Sequence, residues 1–190
     1  MLHPIVIPTI GVVLFLLITP QVITKERQYL LLAIVFVVTY IIPLITLVLL
    51  KTFGVINSFN LVSIKERKIP LFLMLIIFYF LGWLLYNIPV FTELGLLFFG
   101  TDLALLVIYL LFIFDIKASL HIMSLSSAIG FFLIFGNINS ISILPLIAVL
   151  ILLAGLLACS RLHLKAHTKL EIYLGFFIGF LTQFAVFYTL

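Results

Sequence analysis

The stretch GLLFFGTDLALLVIYLLFIF, residues 95–114, contains only one charged side chain, Asp102. A helix of about 20 apolar residues is long enough to cross the hydrocarbon core of a bilayer. The stretch lacks the polar–apolar alternation of a half-buried strand, and a helix satisfies its own backbone hydrogen bonds in lipid. It therefore predicts a transmembrane helix.

The rest of the chain has the same character. Its 190 residues are 66% hydrophobic and 8% charged, with no polar stretch long enough for a soluble domain, whereas soluble domains are about half apolar. We therefore predict an all-α integral membrane protein, a helical bundle of six or seven transmembrane helices that forms one domain over residues 1–190. The spans are expected at about 4–19, 29–50, 71–88, 95–114, 119–136, 141–158 and 172–190.

The few charged residues are unevenly distributed between the two ends of this bundle. Seven spans place the N-terminus and loops 51–70, 115–118 and 159–171 on one face, here called face A, with eight Lys and Arg residues against two on the opposite face. The positive-inside rule would make face A cytoplasmic. If Arg67, Lys68, Lys117 and Arg161 bind an anion, and Lys65 beside them is left out as well, three cations remain against two, and the rule no longer decides the orientation. So small a net charge, +4, does not indicate a nucleic-acid partner.

The densest polar segment is SRLHLKAHTKLE, residues 160–171. His167 and Glu171 are four residues apart, so on a helix the carboxylate can accept a proton from one imidazole nitrogen and leave the other as a nucleophile or base. Arg161 offers a planar fork of donors that suits phosphate oxygens. His163 and His167 could instead hold a metal, but that interpretation needs a third ligand and no HExxH pattern is present.

Two further polar segments precede predicted spans on face A. In DIKASLHIMS, residues 115–124, Ser119 and His121 lie at the start of a helix, where free N–H groups favour an anion, and Lys117 is close by. The alternative is that Lys117 only marks the membrane interface and His121 packs against neighbours. In IKERKIP, residues 64–70, the cations also fit an ordinary interfacial cluster.

The segment SRLHLKAHTKLE, residues 160–171, resembles the third motif of the type 2 phosphatidic acid phosphatase (PAP2) superfamily. That motif reads Ser-Arg, five residues, His, three residues, Asp. This chain has Ser160 and Arg161, then His167 and Glu171 at the same spacings, with Glu in place of Asp. The resemblance covers about residues 60–190.

The other two motifs are matched less completely. The family's second motif reads Pro-Ser-Gly-His, of which Ser119 and His121 are present while Leu120 stands at the glycine position. The first motif ends in Arg-Pro after an earlier Lys. Arg67, Lys68 and Pro70 echo it, and the long-spaced Lys is missing.

The resemblance implies a membrane lipid phosphatase that acts on a phosphomonoester or diphosphate and needs no metal or other cofactor. His167 would attack phosphorus and form a phosphohistidine, Glu171 would orient His167, and His121 would protonate the leaving group and then activate water. It also implies a bacterial inner (cytoplasmic) membrane location with the site face periplasmic. The phosphate-binding residues would be Arg161, Ser119, Arg67, Lys68 and Lys117.

Two other functions stay open at this stage. Leu120, Glu171 and the missing Lys favour a non-catalytic relative that binds an anionic lipid head group or a partner protein. Asp102, a carboxylate inside a predicted span, is the one hint of a transporter, and a local packing role is equally compatible with it.

Overall fold

The computed structural model describes residues 6–19, 23–59, 61 and 63–190, and over this part of the chain it is helical, without a strand. Six of its helices are long and apolar enough to cross a membrane, while α1 is shorter. The prediction of an all-α chain is confirmed for the described residues, and the six long apolar helices agree with the prediction of an integral membrane protein. The helices are α1 (Ile7–Ile18), α2 (Lys25–Thr52), α3 (Ile64–Tyr86), α4 (Thr92–Leu111), α5 (Leu120–Ile138), α6 (Leu144–His163) and α7 (Lys169–Thr189).

The first predicted span began at residue 4, and residues 4 and 5 lie outside the described part of the chain, as do residues 20–22 of the loop that follows it. Within α2, a π-helical turn at Val37–Ile41 directly precedes Pro43. Proline has no N–H to donate to the preceding turn, so the regular hydrogen-bond ladder cannot continue through it. The irregularity therefore falls where Pro43 predicts a bend.

Helix α3 begins at Ile64, seven residues before the predicted start of its span. Ser63 and Glu66 form a capping box, in which the Ser63 hydroxyl accepts from the Glu66 N–H at 3.2 Å and the Glu66 carboxylate accepts from Ser63. This pairing satisfies the first free N–H groups and starts the helix well before Pro70. The segment IKERKIP, predicted as loop, is thus the first two turns of α3.

The loop between α6 and α7 is also shorter than predicted. The N–H groups of Lys165 and Ala166 donate to the carbonyls of Leu162 and Arg161 at 3.0 and 3.1 Å, the two bonds of a Schellman turn. Thr168 and Glu171 form a second capping box at the start of α7. Arg161 therefore lies on the last turn of α6, and residues 164–168 alone connect the two helices.

Helix α5 is at the centre of the bundle and is the most deeply buried of the six long helices. Phe131 and Phe135 on α5 stack with ring centroids 5.8 Å apart, and Phe15 of α1 meets Phe135 edge-on at 5.3 Å. Helix α6, by contrast, is the least buried of the six long helices, and most of its side chains face outward. The apolar core therefore forms around α5, and α6 lies at the periphery.

The closest helix contact joins α5 and α7 through two glycines. A Cβ on Gly175 would lie 2.6 Å from the Ser119 carbonyl oxygen, and one on Gly179 would overlap the Met123 carbonyl oxygen. The hydroxyl of Ser127 donates to the Gly179 carbonyl at 3.2 Å across the same interface. The GxxxG pair thus allows an internal backbone-to-backbone approach of α5 and α7.

Replacing Gly179 with alanine is expected to lower the free energy of unfolding by about 1–3 kcal/mol, because the added methyl must displace the α5 backbone. Gly155→Ala on α6 is the matched control, since nothing lies within 4 Å of its Cβ position. Thermal unfolding in mild detergent should show a lower Tm for Gly179→Ala alone. Equal Tm values for the two variants would contradict the close α5–α7 packing.

Candidate active site

A cavity of about 890 Å³ opens at the end of the bundle that corresponds to face A. The long helices alternate in direction, so this end gathers the starts of α3, α5 and α7 and the ends of α2, α4 and α6. Six of the eight predicted site residues line the cavity: Arg67, Lys117, His121, Arg161, His167 and Glu171.

The shortest polar contact in the site joins His167 to Glu171. The imidazole Nδ1 donates to the Glu171 Oε2 at 2.6 Å, and the His167 side chain is only 7% exposed. A neutral imidazole that donates through Nδ1 carries its lone pair on Nε2. The pair therefore presents a correctly oriented nitrogen nucleophile or base.

Glu171 holds His167 while it also caps α7. Its backbone N–H donates to the Thr168 hydroxyl at 3.3 Å, and its Oε2 accepts from the Thr168 N–H at 3.4 Å. The carboxylate is thus fixed by the helix start, where negative charge is stabilised by the helix dipole. The glutamate side chain thus reaches both the imidazole of His167 and the backbone at the start of α7.

Burial lowers the pKa of His167 below its ordinary value, and the nearby guanidinium groups of Arg67 and Arg161 lower it further, while Glu171 opposes them. Both effects disfavour the imidazolium, since a charged ring loses hydration on burial and is repelled by cations. The neutral imidazole of His167 is consequently favoured over the imidazolium.

Glu171→Gln is expected to lower the pKa of His167 still further, because it removes the one carboxylate that stabilises the imidazolium. Glutamine can still complete the capping box, so the start of α7 should survive. The imidazole ¹⁵N shifts of His167 would be followed by NMR from pH 4 to 8, a range chosen around the ordinary histidine pKa of about 6.5. A midpoint that rises in the variant would contradict the assigned role of Glu171.

Arg161 and Arg67 approach His167 from α6 and α3. The Arg161 Nε is buried and has no hydrogen-bond partner among the described residues. The Arg67 Nε donates to the Leu61 carbonyl at 2.6 Å, which fixes that side chain and leaves its terminal nitrogens available for other acceptors. Two guanidinium groups beside one nucleophile form a site for a multiply charged oxyanion.

His121 and Lys117 reach the cavity from the start of α5. The backbone N–H of Ser119 donates to the Glu171 carbonyl at 2.9 Å, which ties this end of α5 to the first turn of α7. His121 therefore lines the same cavity as His167, on a different helix. This arrangement can supply a proton donor that is separate from the nucleophile.

The remaining two predicted residues lie elsewhere. Ser119 is fully buried under the α5–α7 contact, and its hydroxyl neither lines the cavity nor has a partner among the described residues. Lys68 is exposed and does not line the cavity either. Conversely, Lys165 and Leu120 do line it, and sequence reasoning gave neither a ligand role.

Beyond its charged end the cavity has an apolar wall. The wall runs along α3 from Arg67 to Ile77, about 15 Å at the rise of an α-helix. Helices α2 and α4 contribute to it as well. Its apolar lining includes Pro43, Leu47, Met74, Ile77, Phe78 and Leu105.

Other ionisable side chains are not grouped with this site. His163 is exposed and does not line the cavity, and in the described part of the chain no three His, Cys, Asp or Glu residues are close enough to share a metal ion. Asp102 lies on α4 with its Oδ1 buried and without a hydrogen-bond partner among the described residues. Its neighbour Thr101 lines the cavity and Asp102 does not.

Comparison with known proteins gives no relative: no protein-family model, curated protein or solved structure matches the chain. The function must therefore be inferred from the side chains that line the cavity.

Proposed function

We propose that the protein is a membrane lipid phosphatase of the PAP2 type, which hydrolyses a phosphate ester or diphosphate on a lipid through a phosphohistidine. The observation that carries this proposal is the partly buried His167–Glu171 pair, at 2.6 Å, in one cavity with two arginines and a second histidine. The apolar wall along α3 suits a substrate with a hydrocarbon tail.

In the first step, the His167 Nε2 lone pair attacks phosphorus and the bond from phosphorus to the leaving oxygen breaks. His121, in its protonated form, donates a proton to that oxygen. Glu171 accepts from Nδ1 throughout and so stabilises the positive charge that develops on the ring. The products of this step are the dephosphorylated lipid and a phosphoramidate on His167.

In the second step, neutral His121 takes a proton from water and the water oxygen attacks phosphorus. The N–P bond breaks, inorganic phosphate forms, and His167 returns to its starting state. Arg161, Arg67 and Lys117 would stabilise the equatorial oxygens while charge shifts between attacking and leaving atoms. These fixed cations supply the charge stabilisation that other phosphatases take from metal ions.

Detergent-purified protein with EDTA present is expected to release phosphate from at least one member of a panel of lipid phosphates. The panel would contain phosphatidic acid, phosphatidylglycerophosphate, a prenyl phosphate and diphosphate, and a lipid A phosphate. Release should be lost in His121→Ala, which lacks the proton donor, with fold retained by circular dichroism. Well-folded wild-type protein that releases phosphate from none of them would overturn the proposal.

One observation favours a second candidate, a non-catalytic subunit that binds an anionic lipid head group or a partner protein. Leu120 lines the cavity next to His121, at the position where a glycine would let backbone approach the phosphate more closely. Under this alternative, the anionic lipids of the same panel would bind without release of phosphate. Leu120→Gly would then be expected to gain hydrolysis.

The proposal includes an orientation in which face A is periplasmic, in a bacterial inner membrane. In this orientation most Lys and Arg residues on face A serve to bind the anionic substrate. The excess of positive charge on face A then does not indicate a cytoplasmic location. Impermeant labelling of a cysteine introduced at exposed Lys65 would show which side of the membrane face A occupies.

A further inference from the structure

The charges that line the cavity exceed those needed for a phosphate monoester. Four Lys or Arg side chains line it against one carboxylate, Glu171, and all six acidic residues of the chain are among those described. A phosphate monoester carries about two negative charges near neutral pH, and a second phosphoryl group adds about one more. The lining therefore matches a diphosphate more closely than a monophosphate. The four cations are Arg67, Lys117, Arg161 and Lys165.

Lys165 is the one of these four lining cations to which the sequence analysis assigned no role. It occupies the position after the C-cap of α6, where the Schellman turn places the backbone at φ +51°. Glycine is usual at this position, because a Cβ is unfavourable in the left-handed region. A non-glycine residue held in a disfavoured conformation is a feature typical of functional sites. Lys165 lies between Arg161 and His167 in the sequence, and all three residues line the cavity.

We propose that Lys165 is a specificity-determining residue that binds the second phosphoryl group of a lipid diphosphate. The catalytic part of this inference rests on the proposed phosphatase function; the head-group preference does not. Arg161 and Arg67 would hold the phosphoryl group attacked by His167, since both guanidinium groups lie close enough to His167 to lower its pKa. Lys165 would hold the inner phosphoryl group, which stays on the lipid.

With such a substrate, the His167 Nε2 forms a bond to the terminal phosphorus and the P–O–P anhydride bond breaks on that side. The bonding pair leaves with the bridging oxygen, so the leaving group is a lipid monophosphate. The bridging oxygen leaves as part of a phosphate, which is much less basic than an alkoxide, so it does not have to be fully protonated near neutral pH. Water then cleaves the N–P bond as before, and the products are lipid monophosphate and inorganic phosphate.

The hydrocarbon tail distinguishes a lipid diphosphate from free inorganic diphosphate. The apolar wall extends about 15 Å along α3, from Arg67 to Ile77, and no inorganic anion would use it. Burial of a prenyl tail against this wall would add to binding in proportion to the apolar area covered. A lipid source is therefore favoured.

Binding is tested by calorimetry in detergent micelles with EDTA, in a His167→Ala background so that no ligand is consumed. The probes are farnesyl diphosphate, farnesyl phosphate and inorganic diphosphate. Lys165→Gly is the test variant, because glycine suits the left-handed turn and removes the side chain that carries the amine. The exposed Lys169, which does not line the cavity, supplies the control Lys169→Ala.

Lys165→Gly is expected to weaken farnesyl diphosphate binding by about 10- to 100-fold, the effect of one charge-assisted hydrogen bond. Farnesyl phosphate binding should change by less than about threefold, and Lys169→Ala should change neither. Inorganic diphosphate should bind more weakly than farnesyl diphosphate. Equal losses for both lipids, or no loss for either, would overturn the assignment of Lys165, and tighter binding of the inorganic anion would overturn the lipid source.

Turnover on the otherwise wild-type background separates this inference from the proposed function. Release of phosphate from farnesyl diphosphate that falls in Lys165→Gly, with farnesyl phosphate hydrolysis unchanged, supports both. A Lys165-dependent preference for diphosphate binding without any phosphate release would overturn the phosphatase function and leave the head-group assignment standing.

Discussion

Replacing His167 with alanine should abolish phosphate release, with a loss of about 10³-fold or more in kcat, the scale seen when an enzyme loses its nucleophile. The reason is specific to this side chain. His167 is the histidine that Glu171 orients at 2.6 Å, and its neutral form is favoured by burial and by two nearby guanidinium groups.

His163→Ala is the matched control for this experiment. His163 is exposed at the end of α6 and does not line the cavity, so its removal should leave kcat within about twofold. The assay would follow inorganic phosphate release with EDTA present, for protein of verified helicity. Activity in His167→Ala above about a tenth of wild type would show that another group attacks phosphorus.

Replacing Arg161 with alanine should lower kcat by about 10²- to 10³-fold, the effect of removing a donor aimed at developing negative charge. The guanidinium lies at the end of α6 with its Nε buried and unpartnered among the described residues, so an oxyanion would provide an acceptor that the protein does not. Arg161→Lys should restore only part of the activity, because an ammonium lacks the planar fork that binds two oxygens.

Lys65→Ala is the control for charge alone. Lys65 is exposed on the first turn of α3, two residues before Arg67, and does not line the cavity. Its removal should leave kcat unchanged within about twofold. If Lys65→Ala reduced kcat as much as Arg161→Ala, the effect would be one of surface potential and the site assignment would be wrong.

Part of this architecture is predictable because it depends on local patterns. The run at residues 95–114 has only one charged residue, and α4 forms over it. His167 and Glu171 are neighbours because the Glu171 side chain, on the first turn of α7, reaches back past the N-cap Thr168 to the residue that precedes it. Gly175 and Gly179 are spaced as in the GxxxG pattern that is typical of close helix contacts, and α7 makes such a contact with α5.

The remainder depends on where helices begin and end, which the apolar pattern does not determine. Lys68 follows Arg67 directly, and on a helix adjacent side chains point in directions about 100° apart, so only one lines the cavity. The sequence predicted a loop there because Pro70 resembled a helix start, whereas the Ser63–Glu66 capping box sets it.

Two other differences arise from tertiary contacts. Ser119 is buried because Gly175 allows α7 to approach its backbone, a consequence that no local spacing reveals. Lys165 joins the cavity because α6 continues to His163 and ends in a left-handed turn at a residue other than glycine. A sequence pattern alone assigns that lysine to an ordinary interfacial loop.

The most direct test of the account is to trap the covalent intermediate. Wild-type protein would be mixed with a ³²P-labelled lipid phosphate from the active panel, quenched within one turnover in base, and digested for mass spectrometry. The account predicts an acid-labile, base-stable label on the peptide that contains His167, and no label in His167→Ala. Rapid phosphate release without any label on His167, or a label on a different residue, would contradict it.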